Sequence, residues 1–153
     1  MVGELDQISL FADLPYDQLE DISKFCTRVH FDAGEFLIME GDTANPDLFI
    51  LSDGSVEIVS NNSNRISNEI VLSKEQKEIF GEISWLTNAK RTASVRCHGQ
   101  VDAIRIDGKA LMNYLEERPE AGFRITRKVA TLLSQRMEDT DKLLKQVLWN
   151  RHI

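Results

Sequence analysis

The spacing of apolar residues changes twice along the chain, and this change constrains the fold more than any other feature of the sequence. Up to about residue 28, apolar residues recur every three to five positions, which is typical of amphipathic helices. Between residues 29 and 107, short runs rich in Val, Ile and Phe alternate with turn residues, which predicts strands. From residue 108 the helical spacing returns. The sequence therefore predicts an α+β chain in which a β-sandwich or barrel lies between two helical parts.

The central part contains runs that predict seven or eight closely spaced strands. The runs are residues 29–31, 35–39, 48–51, 56–59, 69–72, 94–97 and 103–106. Glycine-containing turns separate several of them, since glycine adopts positive φ without a clash of Cβ. Asp53-Gly54 predicts a hairpin between two runs, and the polar stretch 60–68 predicts an exposed loop.

Start signals delimit the predicted helices. Asp13 followed by Pro15 marks the start of an N-terminal helix, or of the second of two short ones. Asp107 is suited to cap a helix that contains Leu111, Met112 and Leu115. Pro119 suits a first helical turn, and a long helix is predicted from there to about residue 149.

The long C-terminal helix carries an apolar stripe with heptad-like spacing. Its positions are Thr126, Ala130, Leu133, Met137, Thr140, Leu144 and Val147, widened by Leu132, Leu143 and Leu148. Two interpretations stay open, a helix packed on its own barrel and a helix shared in a homodimer. Residues 119–153 hold seven Lys+Arg and four Asp+Glu, net +3, so residues 1–118 carry −7 minus 3, or −10.

Length and charge exclude several classes of protein. With 153 residues, 42% of them hydrophobic, the chain is expected to form one domain rather than a multidomain enzyme. A net charge of −7 opposes attachment to nucleic acid or to an anionic membrane, so neither is an expected partner. Cys26 and Cys97 form no CxxC, and no apolar export segment follows Met1. A cytoplasmic location fits these features best.

Residues 80–95 hold the most informative motif. Gly81 allows close backbone approach, and a short helix beginning there would point free N–H groups at an anion. The planar guanidinium of Arg91 suits bidentate contact with a phosphate, and Thr92 adds a hydroxyl donor. Glu82 accepts hydrogen bonds from hydroxyls rather than binding phosphate. Anion donors with one such acceptor indicate a phosphate joined to a sugar.

At these residues the sequence resembles the cyclic nucleotide-binding domain family. The resemblance covers Leu10-Phe11, Leu14, Leu19, Gly34-Glu35, Glu40-Gly41-Asp42, Leu48-Phe49-Ile50, Gly54, Val56 and residues 80–95. It implies an antiparallel β-roll, a jelly-roll-like barrel of about eight strands, with N-terminal helices (1–28), the roll (29–107) and C-terminal helices (108–153). It further implies that Glu82 contacts a ribose hydroxyl and Arg91 a cyclic phosphate.

The ligand implied by this resemblance is cAMP or cGMP. Thr92 follows the phosphate arginine, where a hydroxyl can reach the exocyclic amine of guanine, but family members with the same residues also use cAMP. Arg136 and Thr140 share one helix face and resemble positions that reach the purine. The predicted ligand-binding residues are Gly81, Glu82, Ile83, Ser84, Arg91, Thr92, Ala93, Arg136 and Thr140.

The predicted function is a sensor that is not an enzyme and has no catalytic cofactor or metal. Its C-terminal helix would relay ligand binding to a homodimer contact or to an unidentified effector protein. The main alternative is a degenerate domain of the same fold that binds a protein and no nucleotide; a cyclic dinucleotide ligand is a weaker one. A cupin-like metal site is not expected because His30, His98 and His152 are isolated, with no H-x-H.

Overall fold

The structure, a computed structural model, describes residues 1–43, 45–59, 70–73 and 79–151, with 70–73 and 151 described by their backbone only. The predicted loop 60–68 lies outside these residues. The elements in chain order are α1 (Val2–Asp6), α2 (Tyr16–Ser23), β1 (Cys26–Phe31), β2 (Phe36–Ile38), β3 (Leu48–Val59), β4 (Ile70–Ser73), β5 (Ile79–Phe80), α3 (Glu82–Thr87), β6 (Ser94–Ile106), α4 (Gly108–Glu117) and α5 (Pro119–Arg151). The α+β class is confirmed. None of the described helices is long and apolar enough to cross a membrane.

The N-terminal part contains two short helices. Helix α2 begins directly after Pro15, at the predicted start signal. Leu19 and Ile22 of α2 are buried, three residues apart on one face. The turns between α1 and α2 bury Leu10 and Phe11 in the same core.

All described strands belong to one antiparallel sheet. Its order is β1-β6-β3-β4, with β2 paired to β6 and β5 paired to β3. The described residues form six strands rather than the predicted count of about eight. The number is lower because four of the predicted runs are the ends of two long strands. β3 joins runs 48–51 and 56–59, and β6 joins runs 94–97 and 103–106. The described pairings do not close the sheet into a barrel.

The hairpin predicted at Asp53-Gly54 is wrong. β3 continues through this pair and stays bonded to β6, with register shifts on both sides of Asp53. Gly54 has φ 97°, and a Cβ there would lie 2.5 Å from the carbonyl oxygen of Gln100. Gly54 therefore allows an irregularity within β3, where β3 and β6 approach closely, rather than a reversal of the chain.

The sheet separates two apolar clusters. One lies between strands and includes Leu37, Phe49 and Phe80. The other lies where the sheet meets the helices and includes Phe11, Ile106 and Ile125. Because the second cluster contains residues from both ends of the chain, the C-terminal helices are attached to the roll through apolar packing.

The C-terminal helices begin as predicted. The Asp107 carboxylate accepts a hydrogen bond from the backbone N–H of Ala110 at 3.0 Å and caps α4. Pro119 is the first residue of α5, which has 33 residues. At 1.5 Å per residue, α5 is about 50 Å long.

The first part of α5 buries a different face from the predicted stripe. Ala121, Ile125 and Val129 are buried, whereas Thr126 and Ala130 are exposed. The buried residues recur every four positions, and they contact the core shared with the N-terminal helices. From Met137 to residue 150 every side chain of α5 is exposed.

Candidate functional site

The predicted motif lines a cavity of about 180 Å³ at one end of the sheet. Seven of the nine predicted site residues belong to its lining, namely Gly81, Glu82, Ile83, Ser84, Arg91, Thr92 and Ala93. Ile38, Ile58, Phe80 and Val95 supply apolar walls that were not predicted. In the sequence these four residues belong to apolar runs. The pattern of such a run does not distinguish a residue that lines a cavity from a residue of the core.

Gly81 is required both by its backbone conformation and by the space around it. It has φ 96° and precedes the first residue of α3. A Cβ at Gly81 would lie 2.6 Å from Nη1 of Arg91 and 2.8 Å from the carbonyl oxygen of Asp47. Any larger residue would therefore displace the arginine or the loop that holds it.

Arg91 is buried, with 5% of its surface exposed, and is held by backbone carbonyls. Its Nη2 donates to the oxygens of Asn45 and Asp47, both at 2.7 Å, and its Nη1 donates to the oxygen of Gly81 at 3.1 Å. Within the described residues these bonds use three of the five N–H donors of the guanidinium. Two donors remain for a ligand in the cavity.

The backbone of Arg91 is fixed as well. Its N–H donates to the oxygen of Asp42 at 3.0 Å, and its oxygen accepts from the N–H of Gly41 at 2.8 Å. The turn after β2 and the segment before β6 are thus joined by a pair of reciprocal hydrogen bonds. Arg91 approaches the cavity from a fixed backbone position, so its side chain needs little ordering when a ligand binds.

Burial lowers the pKa of Arg91, and the carboxylates of Asp42, Asp47 and Glu82 oppose this shift. The guanidinium remains charged at neutral pH, because arginine stays protonated in proteins. The site therefore presents a buried cation with donors directed by a rigid frame. That arrangement suits a planar or tetrahedral anion.

Asp47 supports the loop that carries two of these carbonyls. Its Oδ2 accepts from Nε of Arg105 at 2.5 Å, and its Oδ1 accepts from the N–H of Gly108 at 2.9 Å. Its own backbone oxygen receives Arg91. One buried residue therefore connects the arginine of the site, strand β6 and the start of α4.

Glu82 connects the cavity to α5. The side chain is 5% exposed, and its Oε1 accepts a hydrogen bond from Nη1 of Arg136. Arg136 is the eighteenth residue of α5, so the long helix reaches the mouth of the site. Thr140 lies one turn further along, where it is exposed and donates to the backbone oxygen of Arg136 at 2.9 Å. It is not part of the cavity lining in the described part of the chain.

Trp85 forms a second connection between the motif and the C-terminal helices. It is buried, and its Nε1 donates to the backbone oxygen of Gly108 at 2.9 Å. A Cβ at Gly108 would lie 2.2 Å from the backbone oxygen of Pro46. Helix α3, the start of α4 and the loop before β3 are therefore in direct contact.

Within the described ranges, the other reactive residue types do not assemble into a centre. No group of three or more His, Cys, Asp or Glu among the described side chains is arranged to hold a metal ion. Burial raises the pKa of Cys26 to about 11, and burial with the nearby Glu35 raises that of Cys97 to about 11. Both thiols are therefore protonated at neutral pH, which makes them poor nucleophiles.

Comparison with known families agrees with this geometry. Residues 28–118 match the family model for the cyclic nucleotide-binding domain. The match includes the sheet, the cavity and α4. The chain belongs to the cyclic nucleotide-binding domain family.

Curated relatives carry a similar segment within much longer chains. The mouse cyclic nucleotide-gated channel beta-3 is 23% identical over 142 residues, which are 91% of this chain and 20% of the channel. Glutaminase 2 of Bradyrhizobium diazoefficiens is 29% identical over 133 residues, 87% of this chain and 20% of that protein. The chain thus spans about a fifth of the length of these relatives.

Solved structures share the fold. A cyclic nucleotide-binding domain from Methylobacillus flagellatus has a TM-score of 0.76 at 20% identity, covering 95% of this chain and 81% of that one. The structure described as cAMP-bound PfPKA-R (141–441) has a TM-score of 0.62 at 26% identity, covering 73% of this chain and 39% of that one. The β-roll predicted from the sequence is confirmed by this likeness.

Proposed function

We propose that this chain is a regulatory module, rather than an enzyme, that binds a cyclic mononucleotide in the cavity beside α3. The observation that carries the proposal is the buried Arg91, held by three carbonyls with two donors remaining. Glu82 lies in the same lining and supplies an acceptor for a hydroxyl. A cation with a neighbouring acceptor matches a phosphate that is joined to a sugar.

Each part of the ligand has a proposed set of contacts. Arg91, the hydroxyl of Thr92 and the backbone N–H groups of Ile83, Ser84 and Ala93 receive the cyclic phosphate. Glu82 accepts from the ribose hydroxyl, since a carboxylate offers several acceptor positions. The purine extends toward α5, where Arg136 and Thr140 lie.

The proposed ligand is cAMP or cGMP, and a titration with each distinguishes them. The cAMP-bound relative and the channel relative support a cyclic nucleotide without choosing the base. We expect saturable binding of at least one nucleotide by calorimetry. Because the Thr92 hydroxyl also contacts the phosphate in this proposal, Thr92→Ala is expected to weaken both nucleotides. If the hydroxyl accepts from the exocyclic amine of guanine as well, the loss is about fivefold larger for cGMP than for cAMP, the value of one hydrogen bond.

That experiment has one control variant and one outcome that would contradict the proposal. Thr87→Ala removes an exposed hydroxyl that bonds only to the carbonyl of Ile83 and to the N–H of Ala89 among the described residues, so it is expected to change neither affinity. A folded, nucleotide-free sample that gives no heat with either nucleotide would contradict the proposal and favour the degenerate interaction domain.

Ligand binding is relayed through α5 in this proposal. Arg136 and the ribose share the Glu82 carboxylate, so occupancy of the cavity alters the contact that tethers the helix. A ligand shifts such an equilibrium only by its difference in affinity between the two helix positions. The output then passes to a second copy or to an effector protein.

The relay predicts a change in amide exchange along residues 130–150. Saturating nucleotide is expected to slow exchange there in the wild type and to have little effect in Arg136→Ala, because the tether is lost. Lys142→Ala, on the same helix beyond the site, serves as the matched control and retains the protection. Equal protection in wild type and Arg136→Ala would exclude Glu82–Arg136 as the link.

The exposed end of α5 supports a homodimer as one output. Met137, Leu144 and Val147 repeat at heptad spacing and are more than half exposed. Sedimentation of the wild type is expected to show a dimer, and Leu144→Glu is expected to shift it to monomer because a charge would enter the apolar seam. A wild type that stays monomeric at all concentrations tested would remove the dimer from the proposal.

A further inference from the structure

A second cavity lies between α5 and the N-terminal segment and shares no lining residue with the nucleotide cavity. Its volume is about 480 Å³. The lining includes Asp13, Phe123, Arg124, Arg127, Lys128 and Leu132. Three cations and one anion give this groove a positive charge on a chain whose total is −7.

Two of the three cations bind the N-terminal segment to α5. Lys128 donates to the backbone oxygen of Ser9 at 2.5 Å and pairs with the carboxylate of Asp13 at 2.9 Å. Arg124 donates to the backbone oxygen of Asp13 at 3.5 Å and also pairs with Glu120 at 3.1 Å on its own helix. These contacts fix one wall of the groove against the other, so the groove exists before any ligand binds.

Arg127 and Phe123 have no such structural use. The guanidinium of Arg127 is exposed and makes no ion pair or hydrogen bond with the part of the chain that the structure describes, whereas its backbone oxygen accepts from the Thr131 hydroxyl. Phe123 is 66% exposed one turn earlier on the same face of α5. An exposed phenyl ring beside an arginine is a combination enriched where proteins bind one another.

We propose that this groove binds an extended acidic segment of a partner protein. The groove runs along α5 from Phe123 to Gln135, about 18 Å at 1.5 Å per residue, which accommodates five or six residues of extended chain. A carboxylate of the segment pairs with Arg127, and a neighbouring apolar side chain covers Phe123.

The distribution of charge favours a peptide over a membrane. Residues 119–153 carry net +3 and residues 1–118 net −10. An anionic lipid surface is broad and would face the acidic part as well as the groove, whereas a narrow segment meets the groove alone. The proposal does not depend on nucleotide binding.

The test uses two fluorescein-labelled eight-residue peptides, one of alternating Glu and Leu and one of alternating Gln and Leu, in fluorescence anisotropy at low salt. The acidic peptide is expected to bind the wild type at least tenfold more tightly than the uncharged one. Arg127→Glu is expected to weaken the acidic peptide at least tenfold, and Phe123→Ala about fivefold. Lys142→Glu makes the same charge change on α5 outside the groove and is expected to stay within twofold.

Three results would overturn the proposal. The first is equal binding of the two peptides, and the second is an equal effect of Arg127→Glu and Lys142→Glu. The third is that the acidic peptide does not bind, while the chain instead self-associates or binds vesicles of phosphatidylcholine with one-fifth phosphatidylserine, and Arg127→Glu abolishes that binding. Arg91→Ala is expected to retain peptide binding. Loss of nucleotide binding and loss of groove binding are therefore separate outcomes.

Discussion

Replacing Arg91 with alanine is expected to weaken cyclic nucleotide binding at least a hundredfold. That factor corresponds to about 2.7 kcal/mol of binding free energy, a size typical of a charge-assisted, desolvated contact to an anion. The substitution also removes the donor from the carbonyls of Asn45, Asp47 and Gly81. We therefore expect a loss of about 2 kcal/mol in the free energy of unfolding as well.

Urea unfolding measures the loss of stability, and calorimetry of the folded variant with both nucleotides measures the loss of affinity. Arg96→Ala is the matched control: this arginine pairs with Glu57 on the sheet and does not line the cavity. It removes a cation of equal charge and is expected to change nucleotide affinity less than threefold. Nucleotide binding within tenfold of wild type by folded Arg91→Ala would show that the anion is held elsewhere.

Replacing Asp47 with alanine is expected to cause the largest loss of stability, about 3 kcal/mol in the free energy of unfolding. The carboxylate is nearly buried and accepts from Arg105 and from the N–H of Gly108. Its removal leaves a buried N–H without its acceptor and a cation without its partner. Because Arg105 is half-exposed, water screens part of that cost, which places the value at the lower end of the range for buried pairs.

Urea unfolding of Asp47→Ala beside Asp102→Ala tests this expectation. Asp102 also contacts a side-chain partner, Nδ1 of His30 at 2.8 Å, but both residues are more than half exposed. Its substitution is expected to cost under 1 kcal/mol. If the two variants lose the same stability, Asp47 does not have the supporting role that its contacts indicate.

The site was predictable from the sequence where its parts are local. Gly81, Glu82 and Arg91 lie within eleven positions, and their residue types in this spacing predict a phosphate and sugar site. The structure brings all three into one cavity lining. Two of the three carbonyls that hold Arg91 come from Asn45 and Asp47, 46 and 44 positions earlier. Backbone oxygens have no sequence signature, because every residue carries one and only the path of the chain decides where it points.

Strand boundaries show a second limit, at Gly54. A hairpin turn and an irregularity within a strand both use glycine at positive φ, so the dipeptide Asp53-Gly54 fits either. Only the pairing of β3 with β6 on both sides of Gly54 distinguishes them, and that pairing involves residues about fifty positions away. The dipeptide therefore predicts positive φ at Gly54, but it does not distinguish a hairpin turn from an irregularity within a strand.

In the proposed relay, helix α5 would act as a lever arm. It is anchored in the core at Ala121, Ile125 and Val129, and at the cavity through Arg136. Beyond Arg136, 15 residues of the helix extend to Arg151, about 20 Å of rigid rod. A tilt of about 10° at the Glu82 contact moves the far end by about 3–4 Å over that length. Under the proposed function, amplification of this size would let a single contact with a small ligand reposition the exposed apolar end of the helix.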